Sequence, residues 1–119
     1  MKDRARREAQ GRRGEWFAAW YLRLTGWRIL AQRVKCPRGE VDIVARKGRL
    51  VAFVEVKWRR EAGDLDHAID PYRLRRVAAA AEVLAPRYAR AGEDLRIDVI
   101  LLAPRKWPRR IANAWQSGA

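Results

Sequence analysis

Cysteine, histidine and methionine each occur once in 119 residues, and 14 acidic side chains stand against 27 basic ones. A lone Cys36 closes no internal disulfide, and with His67 as the single imidazole no Cys/His zinc set can form. One histidine also argues against Ser-His-Asp or Cys-His chemistry. No apolar run approaches the roughly 20 residues of a membrane span, and Met1 is not followed by the apolar stretch of a signal peptide. Repeats, low-complexity tracts and linkers are absent from the sequence. These absences leave a single cytoplasmic domain as the expectation, with no membrane association.

What is present is charge and a core. The hydrophobic fraction is 49%, enough to exclude a disordered basic tail. The formal net charge is +13, carried by 22 arginines and 5 lysines. Its excess gathers at the ends: residues 1–13 hold six basic and two acidic side chains, and Arg105, Lys106, Arg109 and Arg110 stand without an acid among them. Such ends suit a polyanion, since each neutralised phosphate releases a condensed counterion. They equally suit plain solubility.

Periodicity predicts the element order α-β-β-β-α-β. Trp16, Phe17, Trp20, Tyr21 and Leu24 recur at helical spacing within about Arg4–Thr25, a stripe read as buried core. Gly26 is placed to end that helix. Trp27–Val34 reads as a strand, followed by a turn at Cys36-Pro37-Arg38-Gly39. Two strands follow, Glu40–Arg46 and Arg49–Trp58, joined at Lys47-Gly48. Asp70-Pro71 gives a cap and a first-turn proline for an alanine-rich helix, bent or interrupted near Pro86. Leu95–Ala103 is the last predicted strand, and the segment after it has no assignment. Residues 1–10 form a basic extension leading into the first helix, 11–103 the domain, and 104–119 a basic tail.

The chemistry concentrates in the hairpin. Strand side chains alternate between faces, so Glu40 and Asp42 share one face, as do Glu55 and Lys57. A Lys47-Gly48 turn pairs residues whose numbers sum to 95, placing Glu40 opposite Glu55 with Asp42 on the diagonal. All four charges then point to one side, and Val41, Ile43, Ala45, Leu50, Ala52, Val54 and Val56 to the other. Like charges opposed across a sheet repel. Three carboxylates beside one lysine call for a compensating cation, and Mg²⁺ takes one or two carboxylates with waters and substrate phosphate. Lys57 would then orient the attacking water or stabilise developing charge. A solvated edge hairpin with Lys57 paired to a neighbouring acid is the bland alternative; an apolar strand end, a tight turn and a very basic domain together favour the cation site.

The spacing Asp42…Glu55-x-Lys57 resembles the signature of the PD-(D/E)xK nuclease superfamily. More closely, Gly11-Arg12-Arg13-Gly14-Glu15, Gly39-Glu40-Val41-Asp42-Ile43-Val44 and Phe53-Val54-Glu55-Val56-Lys57 resemble the YraN-type family of small bacterial endonuclease-like proteins, related to archaeal Holliday junction resolvases. The likeness runs from about Gly11 to Ala103, through Asp70-Pro71, Arg76, Ala80 and Arg96-Ile97-Asp98-Val99. It implies a restriction-endonuclease-like α/β fold, a mixed central sheet flanked by helices. It implies Asp42 and Glu55 as metal ligands, joined by Glu15 and the Val56 carbonyl, with Lys57 catalytic and Glu40 an auxiliary acid. Val41 stands where the superfamily has its proline, and Arg33 where the subfamily often has asparagine.

The function this implies is Mg²⁺-dependent (or Mn²⁺-dependent) endonucleolytic hydrolysis of DNA phosphodiesters, at branched or structured DNA, by a homodimer. A nucleic-acid-binding protein on a nuclease scaffold, inactive or partner-dependent, is the alternative; a ribosomal RNA scaffold fits the charge and leaves the acids unexplained. Phosphate contacts are expected from Arg12, Arg13, Arg59, Arg60, Arg73 and Arg76, although solvation explains exposed arginines equally well. Trp58 fits either base stacking or core packing. Asp98 beside Arg96 suits a structural ion pair, and Glu15 suits the acid-favouring first turns of a helix as well as a site.

Overall fold

Asp70 begins the second helix as its sequence predicts: its carboxylate accepts from the Tyr72 N–H at 2.9 Å, and Pro71 occupies the first turn. The computed structural model describes residues 2–58 and 70–115. Its elements are α1 (Lys2–Leu24), β1 (Arg28–Cys36), β2 (Gly39–Lys47), β3 (Leu50–Trp58), α2 (Pro71–Tyr88), β4 (Asp94–Leu102) and β5 (Arg109–Ile111). The expected order α-β-β-β-α-β is present, and β5 extends it with three residues of the segment that periodicity left unassigned. Helix α2 runs through Pro86 without a break, the proline falling in its last turn.

The five strands lie in the order β1-β2-β3-β4-β5. The β1–β2, β2–β3 and β4–β5 pairs are antiparallel, while β3 and β4 run parallel. A parallel pair needs a long crossover, and the segment containing α2 supplies it. One face of the sheet packs on α2 through Val44, Val51, Phe53, Leu74, Val77 and Leu84. The other packs on α1 through Ile43, Ala52, Val54, Ile100, Ala18 and Leu22. Covering both faces is what allows β3 to be apolar on both sides, and it confirms the mixed α/β layering.

Three details correct the sequence reading. The β2–β3 turn is Gly48-Arg49, with Lys47 opposite Leu50 and Ile43 opposite Val54, so paired numbers sum to 97. Gly48 takes φ +62° at the first central turn position, where a two-residue hairpin of the II′ kind places glycine. The second correction concerns the helical aromatics: α1 buries Ala18, Ala19 and Leu22, while Trp16 is 61% and Trp20 42% exposed, with Phe17 and Leu24 exposed beside them. Small residues on the buried side bring the helix axis close to the sheet. Gly14 completes that side, since a Cβ there would overlap the Trp58 indole. Third, the solvated-hairpin alternative fails for the face carrying the acids, since Val44, Val51 and Phe53 on it lie under α2.

The tail after β4 is anchored by a buried charge. Asp98 is fully buried and accepts from Arg96 Nε and Nη2 at 2.8 Å each, from the Asn113 N–H at 2.9 Å and from Arg110 Nη1 at 3.3 Å. The structural reading of Asp98 therefore holds. Arg96 and Arg110 also stand over the Trp27 ring at 5.7 and 5.5 Å from its centroid, so β4 and β5 are clipped to the α1 side of the sheet.

Candidate active site

The corrected register moves the acids without separating them. The paired ladder ends at Ile43–Val54, and Asp42 and Glu55 are the next residues of the two strands beyond it. The shift is two residues, and side chains repeat every two, so every charged residue keeps its face.

At this end the strands part, and Asp42 takes over the role of a ladder carbonyl: its Oδ2 accepts from the Val56 N–H at 2.8 Å. Asp42 and Glu55 are close enough to shift one another's titration. Burial and the neighbouring Glu55 push the Asp42 carboxyl up to about 7, against the Val56 hydrogen bond that lowers it; Glu15 and Glu40 add to the rise. Glu55 is 4% exposed, and burial raises its pKa too, while Arg73 and Lys57 pull it down. Two carboxylates so placed, Glu55 buried and Asp42 half-buried, each resist ionisation in the absence of a cation.

Arginine from α2 faces this pair. Arg73 Nη2 stands 3.0 Å from Glu55 Oε1, close enough for an ion pair yet off the angle of a hydrogen bond, and Oε1 is buried with no donor directed at it. Glu40, Glu55, Arg73, Arg76 and Val77 line an open cleft of about 370 Å³. The cleft is acidic at its floor and basic along the α2 wall.

The first helix brings Glu15 to the edge of the group, where Arg33 Nε holds it at 2.5 Å. Arg33 has φ +54°, a left-handed conformation that asparagine adopts more readily than arginine. The departure from asparagine noted at this position thus exchanges backbone ease for an ion pair to Glu15. Among the described residues, no three His, Cys, Asp or Glu side chains are grouped closely enough to hold a metal by themselves. Arg12 and Arg13 are exposed on α1, as are Arg73 and Arg76 on α2. Arg59, Arg60 and His67 lie outside the described residues. Sequence reasoning missed the Arg73–Glu55 pair and the Arg33–Glu15 pair, because neither joins neighbours in one element; only the position of Arg73 one turn into α2 hinted at the first.

A mixed sheet lies between two helices, with Asp42 and Glu55 neighbours where β2 and β3 diverge and Lys57 one alternation further on, in an α/β domain. The fold matches that of Hjc, a Holliday junction resolvase from the archaeal hyperthermophile Archaeoglobus fulgidus, with a TM-score of 0.59 over 84% of this chain and 73% of that one, at 23% sequence identity. Residues 14–102 match the uncharacterised protein family UPF0102, and the chain belongs to that family. The UPF0102 protein of Sphingopyxis alaskensis is 68% identical over 113 residues, spanning 95% of this chain and 97% of its own length. That of Erythrobacter litoralis is 69% identical over 109 residues, spanning 92% and 94%. The resemblance to the YraN-type family is therefore shown. No helix among the described residues is long and apolar enough to cross a membrane.

Proposed function

We propose that the protein is a divalent-metal-dependent endonuclease that hydrolyses DNA phosphodiesters, with branched or otherwise structured DNA as its substrate. The observation that carries this reading is the pairing of half-buried Asp42 with buried Glu55, one of whose oxygens is left without a hydrogen bond. Asp42, Glu55, the Val56 carbonyl and, once released from Arg33, Glu15 would hold Mg²⁺ or Mn²⁺. Two firm carboxylates rather than a closed cage suit an ion that keeps waters and binds substrate phosphate. When bound, the ion lowers the pKa of water and offsets charge on the phosphate. Lys57 orients the attacking water and holds its proton network, and Glu40 at the rim accepts a proton from it. Arg73 and Arg76 bind the phosphate backbone, supported by Arg12 and Arg13, and Arg59 and Arg60 follow the motif in sequence. Contacts of this kind position DNA without reading its bases. Two copies acting symmetrically would cut both strands of a branch, in the cytoplasm.

A second reading, a nucleic-acid-binding protein that needs a partner to become active, is favoured by one feature: Arg73 and Arg33 already neutralise Glu55 and Glu15. Incubation with branched, single-stranded and duplex DNA in Mg²⁺ or Mn²⁺ separates the two. The nuclease reading expects cleavage that chelation stops and that Asp42→Asn or Glu55→Gln reduces at least a hundredfold. Cleavage by those variants at the wild-type rate refutes the site. Tight binding with no cleavage of any substrate supports the second reading.

A further inference from the structure

Beyond the acidic cleft, the α1 side of the sheet carries a second surface. Phe17 and Trp20 of α1, Trp58 at the end of β3 and Trp107 in the β4–β5 connection line a groove of about 290 Å³. Trp107 is 77% exposed. Trp16 meets Phe17 edge-on, with ring centroids 5.1 Å apart, and continues the aromatic surface along the helix. Exposed aromatics gathered in this number mark a contact site rather than a random surface.

The charge around the groove selects its occupant. Arg105 and Lys106 line it, and no acid does among the described residues. Asp98 is the last acidic residue of the chain, so everything near the groove from the C-terminal side is neutral or basic. A second copy of a chain with net charge +13 would bring like charges together here. A ligand that is both polyanionic and flat-faced is complementary on both counts. Stacking rings interleaved with cations are how single-stranded nucleic acid is held without sequence preference.

Placement ties the groove to the cleft. Lys57 and Trp58 are consecutive on β3 and therefore lie on opposite faces, Lys57 toward the acids and Trp58 in the α1-side cluster. A strand leaving the acidic cleft around the end of β3 meets Trp58 within one residue of the site.

We propose that the groove of Phe17, Trp20, Trp58 and Trp107 binds the unpaired bases of a DNA strand by stacking, so that the substrate presents single-stranded nucleotides beside the scissile phosphate. This rests on the nuclease reading for its biological use, and its test does not depend on cleavage.

The test measures binding of labelled DNA to the full chain in chelator, where no metal-dependent hydrolysis occurs. Three probes of equal length are compared: a single-stranded oligodeoxynucleotide, a blunt duplex, and an abasic strand with the same phosphates and no bases. Trp107→Ala and Trp20→Ala are each expected to weaken single-strand binding by about five- to a hundredfold, the loss of one base stack. Both should leave duplex and abasic binding within about twofold of wild type. Trp20→Phe should restore most of the loss, which a merely structural role for Trp20 does not explain. Equal affinity of the wild type for the base-bearing and abasic strands overturns the proposal. So does unchanged single-strand binding in both tryptophan variants, or a wild-type dimer that dissociates on Trp20→Ala, which would assign the groove to a second copy. A protein that cleaves nothing yet shows the tryptophan-dependent loss would sink the nuclease reading and keep this one.

Discussion

Replacing Asp42 by asparagine should make the metal-free protein more stable at pH 8 and leave it little changed at pH 4. An aspartate ordinarily titrates at 3.8, whereas burial and Glu55 raise Asp42 to about 7. Between those values the unfolded chain has lost a proton that the native one retains. Stability therefore falls as pH rises from about 3.8 toward 7, then levels off. The penalty is absent below the lower value and full above the upper one. A shift of about 3 units at 1.36 kcal/mol each sets a ceiling of about 4 kcal/mol. Screening in a cleft open to water reduces this to about 1–3 kcal/mol. For a chain of this length that is about 3–5 °C per kcal/mol in melting temperature. The measurement is thermal or urea unfolding of wild type and Asp42→Asn at both pH values. The difference between the differences cancels titrating groups remote from the site and reports Asp42 and Glu55 as a coupled pair. Asparagine can still accept from the Val56 N–H, so the ladder end is preserved. The same charge repulsion predicts that Mn²⁺ or Mg²⁺ raises the wild-type melting temperature at pH 8 by mass action, and does so far less for the variant. An asparagine variant no more stable than wild type at pH 8, or equally shifted at both pH values, would refute the coupled carboxylate pair.

The α2 arginines should act as phosphate contacts. Arg73→Ala and Arg76→Ala are each expected to lower the slope of log affinity against log salt by about 1, across duplex sequences alike, as read by DNA titrations at several salt concentrations. Asp98→Ala strips the carboxylate that Arg96, Arg110 and the Asn113 N–H share. Leaving those cations beside a buried gap should lower unfolding free energy by about 3–5 kcal/mol, measured by denaturant titration. A loss under about 1 kcal/mol would mean that β5 is not held through Asp98.

The fold and the acid pair were legible for one reason, and the register was not legible for another. Alternation is a property of each strand alone, so Glu40, Asp42, Glu55 and Lys57 could be assigned to faces without knowing how the strands pair. Pairing depends on which turn the chain makes, and Lys47-Gly48-Arg49 permits glycine at either central position. The chain places Gly48 first, at φ +62°, and slides the ladder by two residues. Because the slide is even, the charges stayed together; an odd slip would have divided them and dissolved the site. The ion pairs that neutralise Glu55 and Glu15 join α2 to β3 and β1 to α1, contacts between elements distant in sequence that no local pattern records.

The aromatic stripe of α1 shows where hydrophobicity by itself misleads. Trp16, Phe17, Trp20 and Leu24 form the more apolar stripe, yet the sheet receives Gly14, Ala18, Ala19 and Leu22. The space beneath the helix already holds the large side chains of Trp27, Trp58, Ile100 and Leu102, and interiors packed to crystal density leave little room for four more of that size. Small residues at intervals of four, Gly14, Ala18 and then Leu22, were the available signal of the buried side. The aromatics were displaced outward by volume, and a chain that needed only a solvated helix face there had polar residues to use. It instead exposes Trp16, Phe17 and Trp20 to water, the last two lining a groove with Arg105, Lys106 and Trp58, which follows Lys57 on β3. That outward face is where the binding experiment with base-bearing and abasic strands is aimed.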